Sequence, residues 1–230
     1  MGISIHYSGK IANKQKLPQL IEEVEEIAKV QSWKYHIYER EFEIVENSDL
    51  SNRADKQHNG KLYGIDFTPE GSEPVALCFL SNGQMSSIMQ MACWGNFEKE
   101  SVLISESAEF DEFGEHNCTT EEKIMDAAEY YRMLCYCSAK TQYAGSHTHK
   151  LIIGVLRYVS KNYLADFKLI DEGQFWETGD EKLLEQNLKR NGFLIDSFTD
   201  RINNEKPLTD EDIESLIKRI ALQIKKKDEQ

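Results

Sequence analysis

Long apolar runs are missing from this sequence of 230 residues, and none approaches the about 20 residues that a membrane-spanning helix requires. The N-terminus also lacks the basic region and apolar stretch of a secretory signal peptide. Gly2 follows Met1, but His6 occupies the position at which a myristoylation signal has Ser or Thr. We therefore expect a cytoplasmic protein that neither crosses the membrane nor attaches to it.

Basic residues are scarce, since 27 Lys and Arg stand against 40 Asp and Glu, for a formal net charge of -13. A protein that binds nucleic acid regardless of its sequence needs a basic surface. Docking on an anionic membrane needs one as well. The composition therefore argues against both functions, and the acidic excess favours a partner that is neutral or basic.

Cysteine is limited to five residues, an odd number that does not suit a framework of disulfides. The five are Cys78, Cys93, Cys118, Cys135 and Cys137. We expect most of them to be reduced, partly buried thiols.

The sequence also lacks a glycine-rich dinucleotide motif, a Walker loop and a nucleophile elbow. No cofactor is predicted, and whether the protein is an enzyme stays open.

Hydrophobic periodicity predicts a mixture of strands and helices. Strands are expected at residues 3–7, 34–42, 63–67, 75–80, 85–94, 102–105, 133–143 and 167–170. Helices are expected at residues 17–33, 119–131, 146–162, 180–189, 193–202 and after Pro207. Asn82-Gly83 predicts a tight hairpin turn, and the polar residues 46–60 predict an exposed loop.

Two segments of the sequence share a pattern of strand, amphipathic helix and strand. The first strand of each ends in Tyr, a small residue and Gly, with the tyrosines at Tyr7 and Tyr143. Each segment is expected to form a β-α-β unit, whose right-handed crossover joins parallel strands. The similarity is either an internal duplication, with halves at 1–110 and 119–204, or chance.

These elements predict an α+β fold with a mixed β-sheet, β-α-β units, antiparallel hairpins and helices packed on one face. We expect a single domain over residues 1–204. An amphipathic helix is predicted for the C-terminal residues 205–230, with its apolar positions three and four apart.

One sequence pattern resembles that of known proteins. KTQYAG at residues 140–145 ends a predicted strand, and DEGQFWETGD follows the next strand at residues 171–180. The pattern is similar to that of an uncharacterised family of bacterial proteins, over about half of the chain. The resemblance implies no activity.

Polar residues at the carboxyl ends of two predicted parallel strands form the main candidate ligand site. Ligands favour that edge in sheets with crossover connections. The six predicted binding residues are Lys140, Gln142, Tyr143, Asp171, Glu172 and Trp176. In the alternative interpretation, Lys140 simply forms a surface ion pair with Asp171 or Glu172.

A metal site is the weaker hypothesis for the same region. His147 and His149 are ligand types, and Asp171 and Glu172 could complete the set. However, Ser146 predicts that a helix begins there, and residues two apart on a helix do not point together. We therefore expect two surface histidines and no metal.

Two classes of function remain open. The first is a non-enzymatic protein that binds a basic partner, such as an acidic immunity-type protein that neutralises a toxin. The glutamates of the first predicted helix support it; they are Glu22, Glu23, Glu25 and Glu26. The second class is an enzyme or small-ligand-binding protein that uses a polar pocket at the carboxyl edge of the sheet.

Overall fold

The computed structural model describes residues 2–42, 58–94 and 127–204. The strands are β1 (Ser4–Ile11), β2 (Lys34–Ile37), β3 (Tyr63–Thr68), β4 (Val75–Phe79), β5 (Met85–Ser86), β6 (Cys137–Lys140) and β7 (Leu164–Asp171). The helices are α1 (Leu17–Val30), α2 (Ile88–Trp94), α3 (Ala127–Leu134), α4 (Gly145–Tyr163), α5 (Phe175–Thr178) and α6 (Glu181–Asn204). The predicted strand 102–105 and the predicted helix after Pro207 lie outside the described residues.

The strands form two antiparallel sheets, and the α+β class is confirmed. One sheet has the order β6-β1-β7 and the other β2-β3-β4-β5. Because β6 and β7 are both antiparallel to β1, they run parallel to each other with β1 between them. The predicted crossover through α4 therefore joins parallel strands that are not neighbours.

The two segments with a shared sequence pattern are connected differently. The second segment, β6-α4-β7, begins and ends in the three-stranded sheet. The first, β1-α1-β2, leaves that sheet and ends at the edge of the four-stranded sheet. The similarity of the two segments thus does not extend to their strand pairing.

Helices lie on both faces of the four-stranded sheet, rather than on one face as expected. The side chains of a strand point alternately to its two faces, and all five residues of β4 are buried. Leu77 belongs to the large core cluster that includes α1 and α4. Cys78 faces the opposite way and packs in a second cluster with Leu134 of α3.

This second layer consists of α2, which forms where a strand was predicted, and of α3, whose residues 127–131 belong to the helix predicted at 119–131. Residues 85–94 form the short β5 and then α2, which begins where the Ser87 hydroxyl accepts a hydrogen bond of 3.1 Å from Gln90 N–H. This cap outweighs the alternating pattern, since it satisfies a free N–H group of the first turn. Residues 133–143 contain the end of α3 and only four residues of strand, Cys137–Lys140.

The two helices predicted at 180–189 and 193–202 are one continuous helix, α6. Asn191-Gly192 was expected to end the first of them, but it lies inside α6. A glycine within a helix costs about 1 kcal/mol relative to alanine, which is too little to interrupt a long helix. No helix in the described ranges combines the length and the apolar character of a membrane span.

Tyr7 connects the two sheets through its hydroxyl group. The side chain extends from β1 and is buried, and the hydroxyl donates to the Ala76 carbonyl at 3.0 Å. The same hydroxyl accepts from Ala76 N–H at 2.8 Å. Ala76 lies on β4, and β5 pairs only with the following residues Cys78 and Phe79. The tyrosine therefore provides hydrogen bonds to the N–H and carbonyl groups of Ala76, which β5 does not reach. It thereby fixes β1 against the four-stranded sheet.

Candidate functional site

The carboxyl ends of β6 and β7 lie on either side of β1. Lys140 is paired with Ser4, and Asp171 is paired with the next residue of β1, Ile5. Because paired residues share a face and neighbours alternate, Lys140 and Asp171 point to opposite faces of the sheet. The six predicted site residues are thus at one edge but are divided between its faces.

Asp171 is buried on the inner face and holds the start of α5. Its Oδ1 accepts from Gly173 N–H at 2.7 Å. Its Oδ2 accepts from Phe175 N–H at 2.8 Å and Trp176 N–H at 2.9 Å. The N–H groups of Phe175 and Trp176 would otherwise be unpaired at the first turn of the helix, so the carboxylate caps α5 and also holds the turn at Gly173.

His149 lies beside this carboxylate and has no exposed side-chain surface. Its Nε2 is 3.1 Å from Asp171 Oδ1, and its Nδ1 is 2.7 Å from Thr141 Oγ1. Nε2 is close to Asp171 but is not aligned for a hydrogen bond with any described residue. The expectation of two surface histidines is wrong for His149, whereas His147 is exposed.

The pKa of Asp171 reflects two opposing effects. Burial raises it, while the neighbouring His149 and the N–H groups of Trp176 and Gly173 lower it, and the lowering prevails. Asp171 is therefore ionised at neutral pH. The set of Thr141, His149 and Asp171 resembles a catalytic triad in residue types, but its burial keeps it from an external substrate.

Gln142 and Glu172 hold the N-terminal end of β1. Gln142 is buried, accepts from Ile3 N–H at 3.0 Å and donates to the Leu188 carbonyl of α6 at 2.9 Å. Glu172 accepts from Ser4 N–H at 2.7 Å. Both side chains are thus used in contacts within the protein.

Trp176 packs on Phe167, with the ring centroids 5.9 Å apart. The guanidinium carbon of Arg157 lies 5.2 Å from the centroid of the Trp176 ring. Tyr143 is 66% exposed, and the Lys140 ammonium lies 5.9 Å from its ring centroid. Glu172 lies 3.5 Å from His6 and Asp171 lies 3.1 Å from His149, and in the described part of the chain neither carboxylate pairs with Lys140.

Two depressions are lined by described residues at Glu23 to Tyr158 and at Ile37 to Leu62, and none of the six predicted residues lines either of them. Metal binding has no support in the described ranges either, because no three His, Cys, Asp or Glu side chains there are grouped as ligands. Burial raises the pKa of Cys135 to about 11, and burial also raises the pKa of Cys137. Both are therefore protonated at neutral pH, unlike a nucleophilic cysteine.

A different surface feature, the groove between α1 and α4, was not predicted. We call it the α1–α4 groove; its volume is about 380 Å³, and it is open to solvent. Its lining residues are Glu23, Glu26, Ile27, Val30, Gln31 and Tyr158.

Glu23 is fixed in this groove by hydroxyl groups of α4. Its Oε2 accepts from Tyr163 at 2.6 Å and from Tyr158 at 2.9 Å. Its Oε1 accepts from the Gln19 side-chain amide at 3.1 Å. The hydrogen bond from Tyr163 is the main reason why the pKa of Glu23 is lowered. The groove therefore contains an ionised carboxylate in a fixed position.

The other glutamates of α1 differ in their partners. Glu25 forms ion pairs with Lys29 at 2.7 Å and Arg40 at 3.7 Å. Glu22 and Glu26 are exposed, and no described cation is paired with them. They lie four residues apart on one helix face, where like charges repel. The face of α1 beside the groove is therefore acidic and uncompensated by any described residue.

Comparison with known proteins does not assign the chain: no family model matches it, and neither curated proteins nor solved structures give a significant match.

Proposed function

We propose that the protein acts by binding a basic partner protein. The observation that carries this proposal is the pair of exposed glutamates, Glu22 and Glu26, which α1 holds four residues apart without a described counter-charge. Their repulsion is a small cost to the isolated protein. A basic partner would remove that cost and gain electrostatic attraction.

The overall charge supports the same function, since a net charge of -13 attracts basic proteins at long range. An immunity-type role, in which the protein neutralises a basic toxin, is one form of this function. The alternative of a ligand pocket has less support, because Gln142, Asp171 and Glu172 already bind groups of the protein itself.

Affinity capture with charge-reversed variants tests the proposal. The bait proteins are the unaltered chain, the double variant Glu22→Lys/Glu26→Lys, and the matched control Glu70→Lys/Glu185→Lys, all incubated with extract of the source cells. Both control residues, Glu70 and Glu185, are exposed. They lie near the start of α4, since Gly71, next to Glu70, lies beside Tyr143, and Leu188, one helical turn after Glu185, accepts a hydrogen bond from Gln142.

We expect a basic protein that is captured by the unaltered chain and by the control variant but not by Glu22→Lys/Glu26→Lys. If no captured protein distinguishes the two double variants, the proposed function is wrong. The control keeps the net charge equal, so the comparison isolates the position of the charge.

A further inference from the structure

We propose that the α1–α4 groove is the docking site of the partner and that it receives a basic, amphipathic segment. This inference depends on the proposed function and makes it specific. The groove offers apolar surface together with fixed negative charge, and each of these features restricts the chemistry of the occupant.

The apolar part of the groove is exposed to an unusual degree. Val30 is 80% exposed and Tyr158 is 44% exposed, and Ile27 also lines the groove. Exposed apolar side chains that adjoin one another in a depression are typical of interaction sites. An apolar side chain of the partner would cover this surface and gain about 25 cal/mol per Å² of apolar area removed from water.

The charged part of the groove selects for a cation. Glu23 and Glu26 both line it, and no basic residue does. A carboxylate has about four acceptor positions, and the contacts of Glu23 with Tyr158, Tyr163 and Gln19 occupy three of them. Glu23 can therefore accept one further N–H group, while Glu26 is available for a lysine or arginine side chain. An acidic segment would be repelled.

The groove is also preorganised for binding. Tyr158 and Tyr163 are separated from Glu23 by 135 and 140 residues in the chain, so their hydrogen bonds fix α4 against α1. Binding to a fixed site loses less conformational entropy than binding to a mobile one. Because the groove is open rather than enclosed, it suits a segment of a partner chain better than a small molecule.

Three synthetic peptides test the chemistry of the site. The first carries leucines and lysines at helical spacing, the second has glutamate in place of lysine, and the third has serine in place of leucine. Binding to the full chain is measured by fluorescence anisotropy, and NMR shift changes locate it. We expect the first peptide to bind at Ile27, Val30 and Tyr158, and the other two to bind at least about tenfold more weakly.

Two single variants test the site itself. Val30→Gln removes exposed apolar surface without changing charge, and Glu26→Lys reverses a charge; each is expected to weaken binding of the first peptide about tenfold. Glu70→Lys is the matched control and should bind as the unaltered chain does. Absence of binding by the first peptide, equal binding of all three peptides, or unchanged binding by Val30→Gln would overturn the docking site.

The captured partner separates this inference from the proposed function. A partner that is lost by Glu22→Lys/Glu26→Lys but bound normally by Val30→Gln would show that the groove is not its docking site, while the proposed function stands. A partner that binds Glu22→Lys/Glu26→Lys as tightly as the unaltered chain contradicts both the docking site and the proposed function. Circular dichroism of each variant checks that the fold is retained.

Discussion

The imidazole Nε2 of His149 lies 3.1 Å from Oδ1 of Asp171, and neither side chain has any exposed surface. This contact joins α4 to the end of β7, and Asp171 in turn caps α5. Thr141 extends the set to the residue after β6. This buried polar cluster thus joins helices and strands, whereas the exposed glutamates Glu22 and Glu26 lie elsewhere, on α1.

Asp171 should make stability depend on pH. Its pKa is lowered in the folded protein, so its stabilising effect is fully present above the unfolded-state pKa and is lost as pH falls through the folded-state pKa. We therefore expect the free energy of unfolding to decrease below about pH 4. Urea unfolding followed by circular dichroism over a range of pH measures this effect.

The variant Asp171→Asn removes the charge and turns an amide N–H₂ group toward backbone donors. We expect its free energy of unfolding to be lower by about 1–3 kcal/mol at neutral pH. We also expect that free energy to decrease less in acid than it does for the unaltered protein. An equally steep acid dependence in the variant would show that other carboxyl groups cause it. Glu177→Gln, at an exposed position of α5, is the control.

Tyr7→Phe tests the connection between the two sheets. The change leaves the N–H and carbonyl groups of Ala76 without the hydroxyl that satisfies both. We expect a loss of about 1–3 kcal/mol in the free energy of unfolding. The control Tyr143→Phe, at an exposed tyrosine, should change stability by less than about 0.5 kcal/mol. Similar values for the two variants would contradict the role of Tyr7.

Leu156→Ala tests the packing of α4 on the core. Leu156 is fully buried in the large cluster, and loss of such a side chain typically costs about 2–5 kcal/mol. Val30→Ala, at the exposed end of α1, should change stability by less than about 0.5 kcal/mol. A loss of less than about 0.5 kcal/mol for Leu156→Ala in urea would mean that this helix face is not buried in solution.

The sequence predicts α4 well because apolar residues recur along it at helical spacing. The prediction of residues 146–162 differs by one residue at each end from Gly145–Tyr163. Burial of His149 could have been found from the same pattern, since it precedes Ile152 and Ile153 by three and four residues. A surface position was expected because the helix was predicted to begin at Ser146, whereas the burial of His149 depends on its contacts with Thr141 and Asp171.

Other features depend on contacts that periodicity does not show. Leu134, the last residue of α3, packs in one cluster with Cys78 of β4, and β6 begins only at Cys137, so the strand is shorter than the predicted 133–143. The α1–α4 groove requires Tyr158 and Tyr163 to meet Glu23 across more than half of the chain. No local pattern contains that information.

The association rate of the partner tests the central claim most directly. Stopped-flow measurements at low and physiological salt would compare the unaltered protein with Glu22→Lys/Glu26→Lys and with Glu70→Lys/Glu185→Lys. Charges at an interface act mainly on association, and salt screens them over about 8 Å at physiological ionic strength. We predict that salt slows association of the unaltered protein and that charge reversal on α1 slows it about tenfold at low salt, well beyond the control. An association rate that is independent of salt and equal for the two double variants would contradict the account.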